Sequence, residues 1–166
     1  MYYFYTDGAT SGNGTSDADG GWAWALAAPE GEKITIYRSG PLQHTTNNRC
    51  ELIAVIEACN YALNTELLPM TIISDSAYII NCYKDKWYRK WVQNGWVNSK
   101  RVPVANQDLW EQLIPFFENK LFEFEKVKGH NGKFENEFVD ELARTAIVNE
   151  RIRRSKENGK YNYTYL

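Results

Sequence analysis

Residues 47–80 read NNRCELIAVIEACNYALNTELLPMTIISDSAYII, and the fold turns on the changes of period inside this stretch. From Asn48 to Asn64, the residues Leu52, Val55, Ile56, Cys59 and Leu63 recur on one helical stripe, and Asn48 with Glu51 has the spacing of a capping box. A packed helix is expected there. Met70 to Ser74 then forms a short apolar run, read as a buried strand, and Asp75-Ser76 starts a second helix through Tyr83.

Toward the N-terminus, Tyr2 to Thr6, Gly21 to Ala28 and Lys33 to Arg38 are β-branched or aromatic runs, which predicts three strands in an antiparallel meander. Trp22, Trp24 and Leu26 alternate with Ala23, Ala25 and Ala27, so one face takes large side chains while the other stays flat enough for a helix to pack on. The turn at Pro29-Glu30-Gly31-Glu32 is short, whereas Gly8 to Gly20 is long and rich in Gly, Ser, Thr and Asp. Toward the C-terminus, a helix carries Trp87 and Trp91 and stops near Gly95, and Asn106 caps another through Leu109, Trp110 and Leu113, bent at Pro115. Leu121 to Val127 is the last strand, and Phe138, Val139, Leu142, Ala143, Ala146 and Ile147 trace the final helix. The expected class is α/β: a five-stranded mixed sheet, three strands antiparallel and two joined through helices, flanked by helices. Ligands in such sheets sit beyond the carboxyl ends of strands, where Asp7 and Asp75 fall.

With 166 residues, 43% of them hydrophobic, the chain supports one substantial core, expected to occupy residues 1–150 with a tail over 151–166. No apolar run is long enough to cross a bilayer and the N-terminus lacks signal-peptide features, so a cytosolic, monomeric protein is expected, with no separate binding module ahead of the domain. Cys50, Cys59 and Cys82 form no CxxC pair and lie in helix-like segments, which favours buried thiols over a zinc site. The net charge of −2 excludes a protein that coats nucleic acid by bulk positive charge. Locally the balance differs: Lys84, Lys86, Arg89, Lys90, Lys100 and Arg101 face one acid, Asp85, in a segment that also holds Trp87, Trp91 and Trp96. That segment is the candidate polyanion contact.

Each of four acids has a plain reading alone. Asp7-Gly8 reads as a turn, Glu51 as the capping partner of Asn48, Asp75 as a helix cap, and Asp140 as a solvated helix residue. Together they come from strand ends, a packed helix and the border of another helix's apolar stripe, so they could converge. Converged carboxylates repel unless protonated or neutralised, which points to hard divalent cations, magnesium by default. Two such ions about 3.5–4 Å apart suit phosphodiester hydrolysis. His130 in its Gly-flanked loop is either an exposed turn residue or a mobile proton carrier.

The ordered motifs resemble those of type 1 ribonuclease H: Thr6-Asp7-Gly8-Ala9, Gly20-Gly21-Trp22, Thr46-Asn47-Asn48-Arg49-Cys50-Glu51-Leu52, Ser74-Asp75-Ser76, Trp87 through Gly95-Trp96, Asn106-Gln107-Asp108-Leu109-Trp110, Val127-Lys128-Gly129-His130-Asn131-Gly132 and Asp140-Glu141-Leu142-Ala143-Arg144. The resemblance spans about residues 5–147. It implies the ribonuclease H fold and hydrolysis of the RNA strand of an RNA-DNA hybrid with two Mg2+ ions, Mn2+ being a substitute, leaving 3'-hydroxyl and 5'-phosphate ends. By the same resemblance Asp7, Glu51, Asp75 and Asp140 are metal ligands, His130 a proton shuttle and Glu137 an auxiliary acid. Asn13, Asn47 and Asn48 match residues that read the minor groove, and Thr46 and Asn106 a pocket for a DNA phosphate. Tyr78, Trp87 and Trp91 match a channel for the DNA sugars, with Lys84, Lys86, Arg89 and Lys90 adding salt-sensitive contacts. Trp87 and Trp91, at i and i+4, also suit simple packing of their helix.

Three places depart from the pattern. Ala77 stands where many relatives carry a longer side chain, Asp17 and Asp19 put negative charge beside a nucleic-acid surface, and the tail from Arg151 lies outside the resemblance. Disorder is the plain reading of that tail, while the spacing of Tyr161, Tyr163 and Tyr165 suggests an extended segment added at a sheet edge. Two other functions fit the acids less well. An integrase or transposase catalytic domain lacks the Asn47-Asn48 and Lys128-Gly129-His130 contexts, and a non-catalytic hybrid-binding module is expected to have lost a ligand.

Overall fold

The computed structural model describes residues 1–12, 18–27, 33–128 and 133–159. Five strands, β1 (Tyr2–Thr10), β2 (Ala18–Ala27), β3 (Ile34–Thr45), β4 (Met70–Ser74) and β5 (Phe122–Lys126), form one sheet in the order β3-β2-β1-β4-β5. The first three are antiparallel neighbours, while β4 runs parallel to both β1 and β5. The mixed sheet matches the expectation, but the meander strands are longer than their apolar runs. β1 continues through Gly8 to Thr10, and β3 continues to Thr45, because the ladder carries polar residues such as Ser39 and Thr45 along with the pattern.

The helices are α1 (Asn47–Thr65), α2 (Ala77–Asp85), α3 (Trp87–Asn94), α4 (Gln107–Phe117) and α5 (Lys133–Glu157). The alternation in β2 sorts them. Trp24 and Leu26 join Phe4, Ile72 and the apolar stripe of α1 in the main core, whereas Ala23 and Ala25 pack with Val139 and Ala143 of α5. The flat face is flat for a reason: a Cβ on Gly21 would sit 2.1 Å from the carbonyl oxygen of Ala143, so the helix backbone lies against the strand.

Three expectations about caps and ends are corrected. The N-cap of α1 is Thr46, whose hydroxyl accepts from Arg49 N at 3.2 Å, so Asn48 and Glu51 form no capping box. Ser76, not Asp75, caps α2 by accepting from Ile79 N at 3.3 Å. Asn106 holds the N-cap position of α4 as expected, with φ +64°, but its side chain bonds Arg49 and Tyr78 instead of the helix. The final helix runs past residue 150 to Glu157 without a break, so Arg151 to Glu157 are helical. Arg151 and Arg154 there both pair with Asp19 at 3.1 Å, which accounts for one of the two acids in the β1–β2 segment. The short turn around Pro29, Asp17 and the tyrosines after Gly159 lie outside the described residues. All three cysteines are buried free thiols, as expected. Among the described residues, no helix is long and apolar enough to cross a membrane.

Candidate active site

The β1–β4 register ends at the pair Tyr5↔Ile73, and Asp7 and Asp75 each lie two residues beyond it. Equivalent offsets on parallel strands put these acids at the same end of the sheet. Asp7 is inside β1 rather than past its end, since β1 goes on pairing with β2 through Thr10. Glu51 arrives from α1. A Cβ on Gly8 would lie 2.5 Å from both Cys50 C and Glu51 N, so only glycine lets the helix press onto β1 closely enough to deliver Glu51 beside Asp7. One carboxylate oxygen from each of Asp7, Glu51 and Asp75 lies within 4.8 Å of the others.

Burial makes the cluster costly. Asp7 and Glu51 are only 5% and 7% exposed, whereas Asp75 is exposed. Burial pushes Asp7 up to about 7, with the charges of Asp75 and Asp140 adding to the rise. Burial likewise pushes Glu51 up to about 10, reinforced by the neighbouring charge of Asp7. Two buried carboxyls side by side are tolerable only with a proton or a cation between them. Gly8 N donates to Asp7 Oδ1 at 2.9 Å, while Glu51 Oε2 is buried with no hydrogen-bond partner among the described residues. An orphaned carboxyl oxygen beside two further carboxyl groups is, once deprotonated, the donor set of a hard divalent cation.

Asp140, the fourth expected ligand, stands outside that three-acid group, although its charge acts on Asp7. It is half-buried on α5, and Arg144 one turn later grips its carboxylate through Nε and Nη2. Glu137 is exposed on the same helix, three residues before Asp140. Asn13 and His130 lie outside the described residues.

The proposed substrate contacts sort into two groups. Thr46, Asn106 and Tyr78 are joined by bonds: Arg49 donates its backbone N–H to Thr46 Oγ1 and its Nη1 to Asn106 Oδ1 at 3.3 Å, while Asn106 Nδ2 donates to Tyr78 Oη at 3.2 Å. Arg49, held by Asp108 at 2.8 and 3.0 Å, was not singled out by sequence reasoning; its place between Asn48 and Glu51 in the helix-opening motif was the signal. Asn47 and Asn48 are exposed at the start of α1. Trp91 packs its ring against Trp96 and Trp110, at 5.8 and 5.7 Å between centroids, so it anchors α3 to α4. Trp87 is 38% exposed and touches that stack only through Trp91. Lys84, Lys86 and Lys90 are exposed, whereas Arg89 is taken up by Glu118 at 3.0 and 3.1 Å and so tethers α3.

A model of the RNase H family matches residues 1–148. Ribonuclease H of Syntrophomonas wolfei is 48% identical over 143 residues, 86% of this chain and 93% of that one. Ribonuclease H of Thermoanaerobacter pseudethanolicus is 42% identical over 156 residues, covering 94% and 93%. Among solved structures, LC9-RNase H1, a type 1 RNase H with the type 2 active-site motif, superposes with a TM-score of 0.70 at 29% identity over 89% of this chain and 72% of that one. LC11-RNase H1, solved in complex with an RNA/DNA hybrid, shares the fold at a TM-score of 0.64 and 19% identity, over 90% of this chain and 99% of that one. With converging acids at the end of a β3-β2-β1-β4-β5 sheet and relatives matched over nearly their full length, this chain belongs to the RNase H family of endoribonucleases.

Proposed function

We propose that the chain hydrolyses the RNA strand of RNA-DNA hybrids with two divalent cations, leaving 3'-hydroxyl and 5'-phosphate ends. The observation that carries this reading is the buried Asp7–Glu51 pair with its unpartnered Glu51 oxygen, joined by Asp75. Bound among these oxygens, Mg2+, or Mn2+ in its place, would supply an activated water and offset charge on the leaving oxygen. Asp7, Glu51, Asp75 and Asp140 are the holding residues, with Glu137 as an auxiliary acid on the same helix as Asp140. His130 carries a proton to the leaving 3'-oxygen, a task suited to a side chain that titrates near neutrality.

Selection of hybrid over other duplexes belongs to the flanking surfaces. Asn13, Asn47 and Asn48 address the minor groove, where 2'-hydroxyls mark the RNA strand. Thr46 and Asn106, pre-set by Arg49, grip a DNA phosphate, and Tyr78, Trp87 and Trp91 line the path of the DNA sugars. Lys84, Lys86, Lys90 and, with Glu118 beside it, Arg89 add contacts that weaken with salt. The catalytic unit is residues 1–150, whose last helix continues through Glu157, and it works as a cytoplasmic monomer; three buried free thiols agree with a reducing compartment.

The test is incubation with Mg2+ and end-labelled hybrid, duplex DNA or duplex RNA, beside an Asp75→Asn variant. Cutting of the RNA strand of the hybrid alone is expected. The variant should lose about three orders of magnitude in rate, as the loss of several kcal/mol of charge stabilisation implies. Equal cutting of all three duplexes, or an undiminished variant, rejects the proposal.

A further inference from the structure

Asp140 is the one acid at this site that already has a cation. Arg144 follows it by four residues on α5, the order in which an acid and a base on a helix attract best. The guanidinium engages both oxygens, Nε donating to Oδ1 at 3.3 Å and Nη2 to Oδ2. Asp7, Glu51 and Asp75 receive no hydrogen bond from an arginine or lysine among the described residues, yet the charge of Asp7 is felt at Arg144. Arg144 is therefore the fixed positive charge at the edge of a cluster built to take mobile ones. Its side chain is 64% exposed, so water can replace the carboxylate when the pair opens.

We infer that Arg144 is the resident counter-ion of Asp140 and a positioning residue that sets how tightly the acid cluster takes divalent cations. A divalent ion and a guanidinium on one carboxylate repel each other, so ion binding at Asp140 proceeds against Arg144. By keeping Asp140 out of the three-acid group, Arg144 weakens cation binding in the absence of substrate. The inference rests on the metal-binding reading above.

The experiment is titration of the full chain with Mn2+ alone, without nucleic acid, following free Mn2+ by electron paramagnetic resonance. Arg144→Ala and the neutral, polar Arg144→Gln should each bind about two- to fivefold more tightly than wild type, the range of an exposed ion pair. Arg144→Lys keeps the charge and should stay near the wild-type affinity. In an Asp140→Asn background, removing Arg144 should tighten binding clearly less than it does in the wild type. Wild-type binding with unchanged or weaker affinity in both neutral variants overturns this inference alone, as does equal tightening in the Asp140→Asn background. No Mn2+ binding by the wild type overturns the reading of the site itself, and this inference with it.

Discussion

Two sets of carboxylates in this molecule are treated in opposite ways. Asp108 and Glu118 lie in open positions and Asp19 is half-buried, and each has an arginine: Arg49, Arg89, and Arg151 with Arg154. The hydrogen bond from Arg49 holds Asp108 below its usual range, and that from Arg89 does the same for Glu118. Asp7 and Glu51 are buried, where a counter-charge would matter most, and among the described residues neither accepts from an arginine or lysine. Solvent already screens the first set, so its pairs contribute little beyond fixing α1 to α4 and α3 to α4. The second set is left without a fixed counter-charge in a place that only a proton or a cation from solution can satisfy. A fold selected for stability alone would not keep two acids there.

The contrast can be broken by pushing the two elements of the buried pair apart. Gly8→Ala forces a methyl into the backbone of Cys50 and Glu51, so α1 must back away from β1. Overpacking of this kind costs about 1–3 kcal/mol, read from the denaturant midpoint. Displacing Glu51 by even about 1 Å should lower hybrid cleavage by roughly 10²-fold. Wild-type cleavage in the variant would show that the close approach does not position Glu51. On the other side of the comparison, Asp108→Asn removes a well-formed but exposed pair. Its midpoint should stay within about 1 kcal/mol of wild type. A larger loss would mean that the partnered acids stabilise the fold more than their exposure allows.

How much of this was legible in the sequence depends on the range of the interaction involved. The Trp-Ala alternation of β2 and the α1 stripe from Leu52 to Cys59 are local patterns that took their expected places, whereas Leu63 at the end of that stripe is exposed. The cap of α1 was misread because Asn48-Arg49-Cys50-Glu51 has capping-box spacing, while Glu51 is drawn inward by the close contact at Gly8 instead. The long meander strands were cut short because Gly8 and Ser39 to Thr45 look like turn chemistry until a partner strand is beside them. The convergence of Asp7, Glu51 and Asp75 was expected from their motifs. The Asp140–Arg144 pair has the i, i+4 spacing of a local helix pair, whereas nothing local foretold that Arg49 would link Thr46 to Asn106 or that Asp19 would be tied to α5. Those contacts depend on rotamers and on elements up to 132 residues apart.

The central claim is that the buried acids are tolerable only when a proton or a cation joins them, and pH tests it directly. Asp7 and Glu51 rise from ordinary values of 3.8 and 4.5 to about 7 and about 10 in the fold, so the folded state holds more protons than the unfolded chain. Their contribution is complete below about pH 4 and is lost as pH climbs through the folded values. The decisive measurement is the melting temperature from pH 5 to pH 9, with chelator or with Mg2+, for the wild type and Glu51→Gln. The account predicts a metal-free wild type that loses stability toward pH 9 and regains it with Mg2+. It predicts a metal-free Glu51→Gln that melts roughly 3–8 °C higher at pH 8 and responds little to Mg2+. A wild type whose melting is indifferent to Mg2+ across this range, with Glu51→Gln no more stable, would contradict it.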